Sequence, residues 1–91
     1  MRLVYTQRSL RHLQTIHDYI AQFDPRAAER TVQRIRDAAD RLSTLPLSGR
    51  PARLGSRILA VPGLPYVVVH RVLHDRVQIL TIFHTAQDRR F

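Results

Sequence analysis

Apolar positions divide the chain into segments of two different periods. Residues 2–6 (Arg2-Leu3-Val4-Tyr5-Thr6) read as a short first strand, too brief for alternation alone to decide. From residue 7 to about 22, Leu10, Leu13, Ile16 and Ile20 recur at spacings of three and four, and Phe23 extends the series. That is one face of a helix. Thr6 stands where an N-cap belongs, and Arg11, Gln14, His17 and Asp18 fall off the stripe. Asp24-Pro25 is the clearest punctuation: Asp caps a helix start, and Pro fits the first helical position, where its missing N–H costs nothing. A second helix is expected from Pro25 to about Leu45, burying Ala28, Val32, Ile35, Ala39, Leu42 and Leu45. Arg26, Arg30, Arg34 and Arg41 line its other side, with Asp37 among them, as a solvated face would. The short loop between the helices makes them an antiparallel hairpin.

Pro46 is expected to end the second helix, and residues 47–56 read as a polar loop. Arg57 to Val61 is then a strand, Pro62-Gly63-Leu64-Pro65 a turn, and Tyr66 to Leu73 a strand by its β-branched and aromatic content. His74-Asp75 separates it from a last strand, Arg76 to His84. The tail from Thr85 to Phe91 is polar. The prediction is one α+β domain over residues 1–91, in the order β-α-α-β-β-β, with the helical hairpin on one face of a small antiparallel sheet.

With His74 and Asp75 as the turn, Leu73 pairs with Arg76 and the remaining register follows by counting. One face collects Tyr66, Val68, His70, Val72, Val77, Ile79, Thr81 and Phe83, and is the expected core face. The other collects Val67, Val69, Arg71, Leu73, Arg76, Gln78, Leu80, Ile82 and His84. Its aliphatic part should be covered by something, and a partner segment is the natural occupant. The N-terminal strand, the tail or a second copy are the alternatives.

Composition removes much chemistry. The chain of 91 residues has no cysteine, which excludes disulfides, Cys-ligated metal and thiol catalysis. No apolar run is long enough to span a membrane, the first residues lack the apolar core of a signal peptide, and a reducing cytoplasm is the expected address. No Gly-rich phosphate loop, nucleophilic serine motif or dinucleotide fingerprint is present, so no cofactor is implied. Neither His12/His17 nor His70/His74 is an i,i+4 pair on a helix, and no Glu stands between the members of either pair, so no metal site is assigned. Charge is the positive clue. All fifteen cationic side chains are arginine against seven acids, a formal net charge of +8. That excess favours an anionic partner. Arg50, Arg53 and Arg57 in and after the loop, His84, and Arg89 and Arg90 in the tail are candidates for meeting a target or an anion.

Several stretches together resemble the ParE/RelE family of bacterial toxin–antitoxin toxins, closest to its ParE branch. They are Leu13-Gln14-Thr15-Ile16-His17-Asp18-Tyr19-Ile20-Ala21, Asp24-Pro25-Arg26-Ala27-Ala28, Leu45-Pro46 with Gly49-Arg50-Pro51, Pro65-Tyr66-Val67-Val68-Val69-His70-Arg71-Val72, and His84-Thr85-Ala86-Gln87-Asp88. The resemblance spans nearly the whole chain and implies the fold already read from the pattern. It implies a protein neutralised by a cognate antitoxin whose C-terminal part wraps the toxin, as a hetero-oligomer. It implies either of two targets: DNA gyrase, poisoned by ParE-like members, or mRNA in the ribosomal A site, cut by RelE-like members. Family ribonucleases carry Arg directly after the aromatic residue of the central strand; here Val67 follows Tyr66. Their preceding strand is basic; here Arg57 is followed by Ile58, Leu59 and Ala60. Some use a Tyr near the C-terminus; here Thr85 follows His84 and the tail has no Tyr. Phosphodiester cleavage needs acid–base groups and cations around one phosphate. The gyrase-directed reading is therefore favoured, with no catalytic residue. A ribosome-dependent endoribonuclease using Arg57, Arg71 and His84 is the alternative, and a non-toxic relative that only binds antitoxin is the third. The expected antitoxin surface is Val67, Val69, Arg71, Leu80 and Ile82.

Overall fold

The computed structural model describes residues 1–86. Five strands form one mixed sheet in the order β1-β5-β4-β3-β2, with two helices packed on one face. The strands are β1 (Arg2–Tyr5), β2 (Arg50–Pro51), β3 (Arg57–Ala60), β4 (Tyr66–Val72) and β5 (Arg76–His84), and the helices are α1 (Gln7–Ala21) and α2 (Pro25–Asp40). Two features differ from the sequence expectation. The loop contributes the two-residue edge strand β2, and β1 lies parallel to β5, so the sheet is not purely antiparallel. Everything from α1 to β4 serves as the crossover that a parallel pair requires.

Both helix starts are capped as the pattern indicated. The Thr6 side chain accepts from the Ser9 amide at 3.1 Å, and Asp24 accepts from the Arg26 and Ala27 amides at 3.0 and 3.2 Å. Each cap satisfies N–H groups that have no partner inside the helix. Near their connection the two helices are tied by His17 of α1, 3.2 Å from Glu29 of α2, with Asp18 of its own helix 3.3 Å away. These carboxylates hold its imidazole above the usual range, Asp18 contributing most.

The helices bury Leu13, Ile35, Ala38 and Ala39, and the turn after α2 buries Leu42, against Val68, Val77, Ile79 and Ile82 of the sheet. Three residues expected in the buried stripes are exposed: Leu10, Phe23 and Leu45. Phe23 follows the end of α1 and loses its phase, standing 75% exposed with its ring edge-on to Tyr19 at 5.6 Å. Leu45 lies beyond the tighter 3₁₀ turn Arg41–Ser43 that succeeds α2, so α2 ends at Asp40, well before Pro46. The tighter winding rotates the stripe away from the core. Leu10 stands on the first turns of α1, at the rim of a cleft between the two helices.

The largest departure is in β5. Val72↔Val77, Arg71↔Gln78 and His70↔Ile79 pair as counted from the turn, but the next pair is Val69↔Thr81. Leu80 is an extra residue, a β-bulge, and every pair beyond it is shifted by one, to Val68↔Ile82, Val67↔Phe83 and Tyr66↔His84. A one-residue slip exchanges the faces of all that follows. Ile82 therefore lies in the helix-side core, and Phe83 in a second cluster with Ile58, Val67 and Val69 on the opposite face. The expected assignments of Ile82, Thr81, Phe83 and His84 to faces are all reversed by this bulge.

The bulge is held by α1. The Thr6 hydroxyl lies 2.9 and 3.1 Å from the Ile79 and Leu80 carbonyls, and the Thr6 amide donates to Ile79 at 3.1 Å. Nδ1 of His12 accepts from the Ile82 amide at 3.3 Å and lies 2.7 Å from the Thr81 hydroxyl. β1 ends opposite Ile79, so these side chains occupy the edge of β5 that no strand covers. Thr6→Ala removes the cap and the carbonyl partner together and should cost about 1–2 kcal/mol in urea unfolding. Ile35→Ala, fully buried in the core, should cost about 2–5 kcal/mol in the same measurement.

Candidate functional site

The residues proposed from sequence for phosphodiester cleavage do not meet. Arg57 pairs with His70, whose other neighbour Ile79 is in the helix-side core, so Arg57 stands on the helix side. There its guanidinium donates to the Gly49 carbonyl at 3.1 Å. Arg71, one residue further along β4, points to the opposite face and donates to the Leu54 carbonyl at 3.2 Å. His84 pairs with Tyr66 at the far end of β4, their rings edge-to-face at 5.3 Å, and its Nδ1 accepts from the Ala86 amide at 2.9 Å. Four residue steps along β4 separate the His84 and Arg57 positions, about 13 Å along the sheet. Tyr66 is shifted upward, chiefly by burial.

The face away from the helices is partly roofed by the chain itself. Residues 46–56 form a strap that starts on the helix side at Pro46, joins the sheet edge beside β3 as β2, and crosses this face from Ala52 onward. Ala52 packs on the cluster of Ile58, Val67, Val69 and Phe83, whose members are all buried. A Cβ at Gly49 would collide with the Ile58 carbonyl, so the strap lies directly on β3 only because that position is glycine. Beyond β2 the chain turns at Arg53–Gly55, and the Ala52 amide donates to Ser56 at 2.8 Å. Leu54 holds the left-handed conformation (φ 56°) with its side chain 82% exposed. For a leucine that costs about 1 kcal/mol, offset here by the Arg71 bond to its carbonyl.

Between the strap and the start of α1 a groove of about 440 Å³ remains open. Val69, Leu80 and Thr81 form its floor with Arg71; Thr6 and Arg8 form one wall, and Arg53, Leu54 and Ser56 the other. Three guanidinium-bearing residues thus border an aliphatic floor, with neither imidazole nor carboxylate among the lining residues. Such a groove can hold an anionic group beside apolar side chains; it has nothing to move a proton. Of the expected antitoxin surface, Val69, Arg71 and Leu80 line the groove. Val67 is buried beneath the strap, and Ile82 is on the helix side. Sequence reasoning missed Arg8, Leu54 and Phe83, because the strap and the bulge that place them leave no pattern in the spacing. Among the loop arginines, Arg53 borders the groove and Arg50 is exposed on β2. Arg89 and Arg90 lie outside the described residues. No three potential metal-ligating side chains gather among the described residues, and no helix is long and apolar enough to cross a membrane.

Residues 3–89 match the family model described as the ParE toxin of the type II toxin–antitoxin system parDE. The chain belongs to the ParE toxin family. It is 45% identical over 87 residues to Y4kP of Sinorhizobium fredii, named as a toxin, covering 94% of this chain and 90% of that one. It is 42% identical over 86 residues to toxin RelE2 of Caulobacter vibrioides, covering 94% and 97%. Among solved structures, a chain of the chromosomal ParDE system from P. aeruginosa superposes with a TM-score of 0.83 at 30% identity, covering 92% of this chain and 95% of that one. The two-helix, mixed-sheet architecture is thus that of a ParDE toxin–antitoxin structure, and the ParE toxin described here carries it with an aliphatic, arginine-rimmed groove. If Arg71 anchors the strap, Arg71→Met should speed tryptic cleavage after Arg53 several-fold, read by mass spectrometry, while the far-ultraviolet circular dichroism stays unchanged. Cleavage at the wild-type rate would mean that the strap is held without it.

Proposed function

We propose that this ParE toxin acts by binding rather than by chemistry: it poisons DNA gyrase in the cytoplasm and is neutralised by a cognate antitoxin seated in the groove. The observation that carries the reading is the separation of Arg57, Arg71 and His84 onto two faces and two ends of the sheet. With His84 apart from Arg57 and Arg71, those two guanidinium groups cannot stabilise the charge that develops on a phosphate beside it, and losing such groups costs orders of magnitude in rate. The groove supports the antitoxin assignment. Arg8, Arg53 and Arg71 suit acidic side chains, and Val69, Leu80 and exposed Leu54 suit apolar ones. Toxin and antitoxin would form a hetero-oligomer. The relative named RelE2 keeps the ribonuclease alternative in the test.

Purified protein added to a gyrase supercoiling assay should inhibit supercoiling in proportion to its concentration, and the same protein in a translating extract should leave mRNA uncut. Codon-positioned cuts with intact supercoiling would establish the ribonuclease reading instead; inactivity in both would point to a family member that only binds antitoxin.

For the antitoxin surface, Leu80 is the informative position, since it lines the groove floor without being fully buried. Leu80→Asp should abolish co-purification with the antitoxin and leave the circular dichroism unchanged. Retained co-purification would remove the groove from the interface. Val67→Asp is a folding probe, because Val67 is in the second core cluster.

A further inference from the structure

The strap of residues 46–56 is fastened by two neighbours on β4 that point to opposite faces. Arg71 holds the Leu54 end from the groove side. His70 holds the Pro46 end from the helix side, its Nε2 3.2 Å from the Pro46 carbonyl. Between them Arg57 of β3 holds the Gly49 carbonyl.

His70 is the unusual member. Its ring is fully buried at 0% exposure. A carbonyl only accepts, so Nε2 carries the proton and Nδ1 is a lone pair. Nδ1 is buried without a hydrogen-bond partner. Nothing else in the strap's anchorage needs an imidazole; a neutral donor would make the same bond. Arg57 stands opposite His70 on β3, Ile79 stands opposite it on β5, and Pro46 lies across its Nε2. Arg57 is the charged group acting on it among the described residues, and it is cationic. A second proton on the ring therefore meets burial and a like charge together. Burial is the larger cause, and it holds the imidazole below its ordinary value of 6.5 despite the pull of the Pro46 and Val68 carbonyls.

We infer that His70 is a proton-sensitive clasp: a second proton on its buried ring lifts the Pro46 end of the strap and loosens the wall of the groove. Lifting the strap admits water to the ring while leaving the helix-side core intact, so it is the least costly relief. The sign follows from linkage. The unfolded or lifted state binds the proton more readily than the closed one, so closure is fully favoured above about pH 6.5 and is lost as the pH falls. The inference rests on the binding reading only for what the groove holds; the clasp is a property of the free toxin.

The test uses the full-length chain without antitoxin or gyrase. Amide hydrogen exchange is followed from pH 7.5 to 5, corrected for intrinsic rates, while imidazole nitrogen shifts report His70 directly. The Nε2-protonated tautomer should dominate at pH 7. The Ser48, Ala52 and Ser56 amides should lose protection below the ordinary imidazole value, their opening rising toward about tenfold per pH unit. The amides of Val68 and Ile79 should stay protected. His70→Gln keeps an N–H donor without a titration and should abolish the acid response. Strap protection that is constant through the His70 titration would overturn the inference. So would an unchanged acid response in His70→Gln, or strap and core opening together. Should His70→Gln fail to fold, the wild-type titration decides alone.

Discussion

One inserted residue in the last strand decides what this sheet presents on each face. At Leu80 two residues of β5 oppose one of β4, and the pairing beyond it shifts by a single position. Side chains alternate with a period of two, so the shift carries Ile82 into the helix-side core and Phe83 into the second cluster. It also turns His84 away from Arg71. The bulge disturbs backbone pairing at an edge that β1 no longer covers, and α1 supplies the missing partners through Thr6 and His12. The cap that starts the helix and the irregularity that sorts the sheet are therefore one polar network. A buried amide or carbonyl without a partner would otherwise cost about 1–3 kcal/mol.

The second consequence is that the sheet has two cores. The helices cover one, and the strap covers part of the other, leaving a groove where the strap and α1 diverge. The exposed part of that face is small, aliphatic at its floor and cationic at its rim. A net charge of +8 on 91 residues favours acidic partners at long range, and the arginines at the rim give that attraction a location. The strap is the more adaptable wall, since it is fastened by three side-chain bonds to carbonyls, two residues of β2 and a strained leucine.

Much of the fold is legible in the sequence, and the physical reasons are specific. Thr6 and Asp24-Pro25 mark helix starts because a cap is a local interaction written in adjacent residues. The hairpin at His74-Asp75 is legible from the two β-branched runs beside it. The aliphatic character of the groove floor is likewise visible in Val69 and Leu80. The bulge is not, because its partners, Thr6 and His12, are about seventy positions away and Leu80 has no local marker such as glycine. The 3₁₀ ending of α2 is hidden for a related reason: Pro46 sets a limit on the helix without saying how much earlier it stops. In sequence the strap reads as a polar loop because its apolar contributors, Ala52 and Leu54, are isolated. The parallel seat of β1 depends on strand order, which spacing does not encode.

The β4–β5 register is the measurement that tests this account most directly. Nuclear Overhauser contacts across the hairpin in the free protein should link Val69 with Thr81, Val68 with Ile82 and Tyr66 with His84, with Leu80 left between two pairs. Contacts of Val69 with Leu80 and of Val67 with Ile82 would instead return Ile82 and His84 to the face of Arg71, and would contradict the separation on which the binding mechanism rests.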